Sequence, residues 1–180
     1  NSNISHRLGL KNTDYILATI HRAENTDDSR RLKRIISDLV TLSSSYRVIF
    51  PLHPRTKNLM ANLLQHLGPH NIEFIEPVGY LDIAQLETNS IAIITDSGGV
   101  QKEAFFHEKP CLTLRDETEW LELIESGWNK LYPPTDLNKE PILDAVQNLI
   151  ASVPSYTKPV CYGTGNAAET IVSSLKDMYK

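Results

Sequence analysis

Cysteine is scarce in this chain: only Cys111 and Cys161 occur in 180 residues. That excludes a disulfide scaffold and fits a reducing compartment, so a cytoplasmic protein is expected. Long apolar runs are missing as well. None approaches the roughly 20 residues that a bilayer-spanning helix needs, so no transmembrane helix and no membrane partner are expected. Positive charge is not in surplus: 18 Lys and Arg face 22 Asp and Glu, a formal net charge of -4. A nucleic-acid binder working through phosphate contacts would be basic, so nucleic acid is not an expected partner. No internal repeat, low-complexity stretch or block of like charge occurs. No His, Cys, Asp and Glu spacing resembles a metal site, and there is neither a Gly-rich Walker loop nor a G-x-S-x-G elbow. The opening Asn1-Ser2-Asn3 shows no methionine and no basic-then-apolar signal segment, so a processed start and a piece of a longer protein are both expected readings.

What remains is an ordinary globular balance. Hydrophobic residues make up 41% and charged residues 22%, enough to bury a core and too apolar for disorder. The length is that of about one domain.

Short apolar runs and helical stripes take turns along the chain. Tyr15 to Ile20, Arg47 to Leu52, Ile72 to Ile75, Ile91 to Thr95 and Pro110 to Leu114 predict strands, and Leu131-Tyr132 predicts a last short one. Leu32 to Leu42 has helical spacing behind an Asp27-Asp28-Ser29 capping cluster. Further helices are predicted over Leu59 to Leu67, Leu81 to Leu86, Val100 to His107, Thr118 to Glu125, Ile142 to Ala151 and Ala167 to Met178. The strands are nearly all apolar, as when helices cover both faces of a parallel sheet. The expected fold is therefore α/β, a Rossmann-like doubly wound parallel sheet. Ser152 to Pro159 reads as a linker before the final helix.

In such sheets ligands bind beyond the carboxyl ends of the strands. Polar clusters fall there: His21-Arg22-Ala23-Glu24-Asn25, His53-Pro54-Arg55, Asp96-Ser97-Gly98-Gly99 and Arg115-Asp116-Glu117-Thr118-Glu119. Ser97 suits a helix N-cap, and Gly98 and Gly99 let backbone come close to a ligand. The free N–H groups of the following helix then make an anion site, with phosphate the usual occupant. Glu103, about one and a half turns further along, is placed to accept hydrogen bonds from ribose hydroxyls. The competing reading is a strand-to-helix turn that merely needs small residues. Arg22 offers forked donors for a phosphate and His21 a donor or proton carrier; the competing reading is an exposed basic pair. Arg115 opens either a second ligand loop or a solvated connection. His53 more often only caps a turn, and His66, His70 and His107 read as surface residues. Trp120 and Trp128 read as packing.

The segments HRAEN at 21–25, PLHPRT at 51–56, EPVGYLD at 76–82, DSGGVQKEA at 96–104, LRDETEW at 114–120 and YGTGNAAETI at 162–171 run in order along nearly the whole chain. Together they resemble the non-hydrolysing UDP-N-acetylglucosamine 2-epimerases. The resemblance implies two Rossmann-like domains arranged as in the GT-B glycosyltransferases, with this chain as the second. Residues 1–160 would be the UDP-binding domain, and residues 161–180 a C-terminal helix packing toward an absent N-terminal domain. It implies interconversion of UDP-GlcNAc and UDP-ManNAc, without an added cofactor, by elimination and re-addition of UDP. His21 then corresponds to the active-site histidine, with Arg22 beside it. Ser97, Gly98 and Gly99 correspond to the diphosphate turn and Glu103 to the ribose carboxylate, and Arg115 is counted with the nucleotide contacts. The residues that move protons would lie in the other domain, so this half alone is expected to bind UDP weakly and to be inactive. A homodimer is expected of the whole protein.

Trp120 departs from the pattern, since relatives acting on UDP-GlcNAc often carry arginine there. The ETEW and SGWN segments are similar to the branch that epimerises UDP-2,3-diacetamido-2,3-dideoxyglucuronate. That substrate is the nearest alternative, and either product would feed surface polysaccharide. A GT-B glycosyltransferase domain and a non-enzymatic nucleotide-sugar-binding module stand behind it.

Overall fold

The structure, a computed structural model, describes residues 2–64, 68–152 and 159–178, with the side chains of residues 54, 55, 61, 62 and 64 outside that description. The strands are β1 (Tyr15–Thr19), β2 (Arg47–Pro51), β3 (Ile72–Ile75), β4 (Ala92–Thr95), β5 (Cys111–Thr113) and β6 (Asn129–Leu131). They form one sheet in the order β3-β2-β1-β4-β5-β6, and every neighbouring pair is parallel. This is the doubly wound order, so the α/β Rossmann-like expectation holds.

The helices are α1 (Ile4–Arg7), α2 (Ala23–Thr26), α3 (Ser29–Leu42), α4 (Pro54–Leu64), α5 (Tyr80–Asn89), α6 (Gly98–Phe106), α7 (Leu121–Glu125), α8 (Ile142–Ser152) and α9 (Ala167–Met178). The two sheet faces explain the all-apolar strands. Ile16, Ala18, Val48, Phe50, Ile94 and Leu112 pack one way, against residues of α3 and α8 such as Leu39 and Val146. Tyr15, Leu17, Ile49, Ile93 and Cys111 point the other way, against Ile4, Leu86 and Ala104. Alternate residues of the central strands thus feed opposite cores, whereas the edge strands β3 and β6 carry the half-exposed Glu73 and Lys130.

Boundaries differ from the sequence reading where side chains compete for backbone groups. Asp28 does cap α3, accepting from the N–H of Arg30 and Arg31. α6 begins at Gly98 rather than Val100. α7 begins at Leu121 rather than Thr118, because the Thr118 hydroxyl accepts the Trp120 N–H and donates to Gln101. β6 covers Asn129–Leu131 and stops short of Tyr132. α5 extends past Leu86 to Asn89, and the one-turn helices α1 and α2 have no apolar stripe to announce them. His66 and most of the expected linker lie outside the described residues. α9 has no buried residue, and Ile171, Leu175 and Met178 on it are exposed. Among the described residues no helix is long and apolar enough to cross a membrane.

Candidate functional site

The connections leave β1 and β4 in opposite directions, which opens a crevice beyond their carboxyl ends. The register brings Thr19 beside Thr95 and Thr95 beside Thr113, so three hydroxyls line the strand edge. Thr19 and Thr95 share a hydrogen bond of 2.7 Å, and Thr95 Oγ1 accepts the Ser97 N–H at 3.0 Å. This fixes the first residue of the loop that enters α6.

Asp96 holds the two sides of the crevice together. It is fully buried. Its carboxylate accepts the N–H of His21 at 3.2 Å, the N–H of Arg22 at 3.0 Å and Nδ2 of Asn25 at 3.1 Å. The His21 Nδ1 lies 3.7 Å from Asp96 Oδ1, and the imidazole remains 45% exposed toward the crevice. Asn25 also donates to the Leu114 carbonyl and accepts from Arg31 Nε, so the ends of β1, β4 and β5 are laced by one buried amide. Arg31 in turn pairs with Glu24 and Asp116. HRAEN is thus more than a basic pair at a strand end: its Asn25 is a strut, and its His21 and Arg22 backbones are pinned to the loop after β4.

Ser97 is the N-cap of α6, its hydroxyl accepting the Val100 N–H at 3.4 Å. Gly98 and Gly99 form the first helical turn, which leaves their amides without intrahelical acceptors and aimed out of the helix start. Gly98 lets the loop after β5 come close to the helix start, and a larger residue there would make the Glu119 carboxylate shift. A Cβ there would sit 2.5 Å from Glu119 Oε1 and 3.4 Å from Trp120 Nε1. The Trp120 indole N–H donates to the Gly98 carbonyl at 3.0 Å, locking the loop after β5 onto this turn. Gln101 extends the lock inside: Oε1 accepts from Thr118 and Asn129, and Nε2 donates to the Ser97 carbonyl.

Arg115 stands at the end of β5, 8% exposed, and pairs with Glu119 at 2.6 Å. Its Nε is buried without a hydrogen-bond partner among the described residues. The Glu119 carboxyl is held below its ordinary range, first by its own backbone N–H, then by Arg115, with Arg22 adding to the effect. Arg22, Arg115 and the α6 amides therefore converge on one region. A forked cation pair beside a helix start is what a diphosphate requires.

Of the residues singled out from sequence, His21, Arg22, Ser97, Gly98, Gly99 and Arg115 meet at this edge. Glu103 lies further along α6, on the helix that packs against α5. His53, read as a turn residue, has its ring 6.5 Å from that of His21. Trp128 is core, packed edge-on to Phe105, whereas Trp120 both packs on Tyr162 and carries Lys102 over its ring at 3.4 Å. His107 is not a plain surface residue; it reaches Thr88 and Glu87. The sequence reading missed Asp96 and Asn25 as organisers. The signal available was an Asp directly at a strand end, facing an Asn at the other. Among the described residues no His, Cys, Asp and Glu group is arranged to hold a metal ion.

Comparison with known proteins follows the same outline. The family model described as UDP-N-acetylglucosamine 2-epimerase matches residues 1–176. A UDP-N-acetylglucosamine 2-epimerase homolog of Methanococcus maripaludis is 41% identical, over 99% of this chain and 49% of that protein. The UDP-2,3-diacetamido-2,3-dideoxy-D-glucuronate 2-epimerase of Pseudomonas aeruginosa is 49% identical over 126 residues, which cover 69% of this chain and 35% of that protein. Among solved structures, the Methanocaldococcus jannaschii UDP-GlcNAc 2-epimerase in complex with UDP-GlcNAc and UDP matches with a TM-score of 0.83 at 40% identity, covering 98% of this chain and 49% of its own. The chain spans about half the length of the curated relatives it matches.

Proposed function

We propose, from the premise that the chain belongs to the UDP-N-acetylglucosamine 2-epimerase family, that it is the UDP-gripping half of an enzyme inverting C2 of UDP-GlcNAc. The observation that carries this reading is the convergence of Arg22, Arg115 and the α6 amides at the switch point, with His21 beside them on the Asp96 tether.

The chemistry asked of these groups is the departure and return of UDP across C1 and C2. Negative charge grows on the β-phosphate oxygen as the C1–O bond breaks. Amides and guanidinium groups already oriented toward it stabilise that charge without rearranging. His21, held by its own backbone amide and exposed at the ring, hydrogen-bonds the departing diphosphate and follows its protonation. Glu103 receives the ribose hydroxyls. The C2 proton is moved by acidic groups of the other domain, which also closes the site against water. α9, with Ile171, Val172 and Leu175 on its surface, fits a role as the strap reaching that domain. The reading places the protein in the cytoplasm, dimeric when whole, with a product used for surface polysaccharide.

A second substrate has its own support. Trp120 stands at the edge of the diphosphate turn, and a relative acting on UDP-2,3-diacetamido-2,3-dideoxyglucuronate is 49% identical over the region matched. Incubating the complete protein with each UDP-sugar in deuterium oxide separates the two by proton NMR at C2. Exchange at C2 and appearance of the C2 epimer are expected for one of them. His21→Asn should lower the rate by roughly a hundredfold or more, as loss of a proton-transfer or leaving-group contact does. Exchange with neither sugar, or full activity of His21→Asn, contradicts the reading.

A further inference from the structure

Trp120 reads from sequence as packing, yet its one polar side-chain atom is aimed. Its backbone is fixed first. The N–H donates to Thr118 Oγ1 at 3.2 Å, and the Thr118 hydroxyl donates to Gln101 of α6 at 2.7 Å. The Trp120 carbonyl accepts the Leu123 N–H at 3.1 Å as α7 opens. The indole then stands between α6 and the C-terminal segment. The Lys102 ammonium lies 3.4 Å from its ring centroid, and the Tyr162 ring meets it edge-on at 6.4 Å. The same ammonium is 4.7 Å from the Tyr162 ring, so one cation bridges the two aromatic groups. The indole N–H donates to the Gly98 carbonyl at 3.0 Å. Apolar packing alone would not need that donor.

The Gly98 carbonyl and the Gly99 N–H belong to one planar peptide unit and point in opposite directions. Both glycines open α6, where N–H groups have no intrahelical acceptor. A donor held on that carbonyl fixes the plane in which the Gly99 N–H is presented, at a glycine pair whose own dihedrals are soft. It also polarises the amide, which strengthens the N–H as a donor to an anion. Tyr162 holds the indole in turn. Its hydroxyl donates to Glu122 of α7 at 2.7 Å, and its ring stands edge-on to Phe105 and Phe106 of α6 at 5.8 Å and 5.6 Å. The segment that leads into α9 is thus fastened to the helix that carries the turn.

We infer that Trp120 is a positioning residue for the diphosphate turn: its indole N–H holds the Gly98–Gly99 peptide plane toward the anion, and Tyr162 of the C-terminal segment keeps the indole in place. The inference rests on the start of α6 being the diphosphate site. Packing and positioning differ in what their loss touches. Lost packing lowers stability and loosens the whole nucleotide site. A lost donor weakens the phosphate contacts and leaves the nucleoside contacts as they were.

The test uses the complete protein, titrated with UDP and with uridine by saturation-transfer NMR, alongside urea unfolding. Wild type should bind UDP more tightly than uridine. Trp120→Phe keeps a ring beneath Lys102 and loses the donor; UDP affinity should fall roughly fivefold while uridine affinity stays within about twofold. Tyr162→Ala should narrow the UDP preference by a smaller factor, roughly twofold. Gly99→Pro removes the presented N–H itself at a position in the first helical turn where proline is tolerated, and it should narrow the preference at least as much as Trp120→Phe. If Gly99→Pro retains the full preference, the α6 amides do not hold the diphosphate and the underlying reading fails. If Gly99→Pro loses it while Trp120→Phe keeps it, or weakens both ligands equally, only the positioning role fails. An unchanged preference in Tyr162→Ala removes Tyr162 from the inference. Should Trp120→Phe not fold, benzothienylalanine at the same position, with sulfur in place of the indole N–H, decides the matter: an unchanged preference overturns the inference.

Discussion

Asp96 and Glu87 are both sealed from solvent, yet their surroundings treat them in opposite ways. Asp96 sits where two loops leave the sheet, and unpaired N–H groups at strand ends and helix starts are plentiful there. It accepts from His21, Arg22 and Asn25. Glu87 sits in the last turn of α5, where the backbone N–H groups are already used, and it accepts from nothing among the described residues. The cost of burying a charge is set by donors rather than by depth alone. A carboxylate at the edge of the sheet serves as an acceptor that clamps two loops, whereas burial in a helix seam pushes Glu87 toward its protonated form.

The largest effect expected from breaking this contrast is at the clamp. Asp96→Ala strips the acceptor from two backbone amides and the Asn25 side chain at once. Buried donors left unsatisfied cost about 1–3 kcal/mol each, and part of that is recovered by water entering from the crevice. A net loss of about 3 kcal/mol in urea unfolding is expected, with loss of UDP binding. A loss below about 1 kcal/mol would show that water replaces the carboxylate and that the clamp is dispensable.

The seam should respond to pH instead. In the unfolded chain Glu87 releases its proton near the ordinary value of 4.5, whereas the folded protein keeps it to about 8. Its favourable contribution is whole below the lower value and is lost as pH rises toward the upper one, because deprotonation draws the chain to the unfolded side. Between about pH 6 and pH 8, wild type should therefore lose about 1–2 kcal/mol of stability relative to Glu87→Gln. Parallel stability curves for the two proteins would mean that Glu87 is ionised throughout.

The same contrast explains what was legible in the sequence. The strand ends were readable because β1 and β4 are short apolar runs broken by polar residues, and the doubly wound order then follows from alternation. Ser97, Gly98 and Gly99 announce a helix start through residue types that suit a cap and close approach. Asn25, Asp96 and Arg31 were visible as polar residues, but their partners come from three different strand ends. Glu87 gives no local sign at all: LETNS reads as an ordinary solvated helix turn, and only the packing of α5 on α6 buries it. Trp120 likewise looks like filler until its indole is seen on the Gly98 carbonyl, with Lys102 over its ring and Tyr162 at its edge.

The smallest expected effect sharpens the comparison most, because it decides whether the seam is neutral or an ion pair. His107 is 30% exposed on its side chain and stands 3.6 Å from Glu87. If Glu87 keeps its proton, His107→Gln removes a long, partly solvated contact and the exposed hydrogen bond to Thr88, and stability should change by no more than about 1 kcal/mol at neutral pH. If instead His107 is an imidazolium neutralising an ionised Glu87, the same substitution strands a buried carboxylate, a change that typically costs about 3–5 kcal/mol. The two outcomes differ several-fold, well beyond the error of urea titration. A loss above about 2 kcal/mol would identify His107 as the partner of an ionised Glu87. It would also make the seam resemble the Asp96 site, where the groups around a buried carboxylate satisfy it.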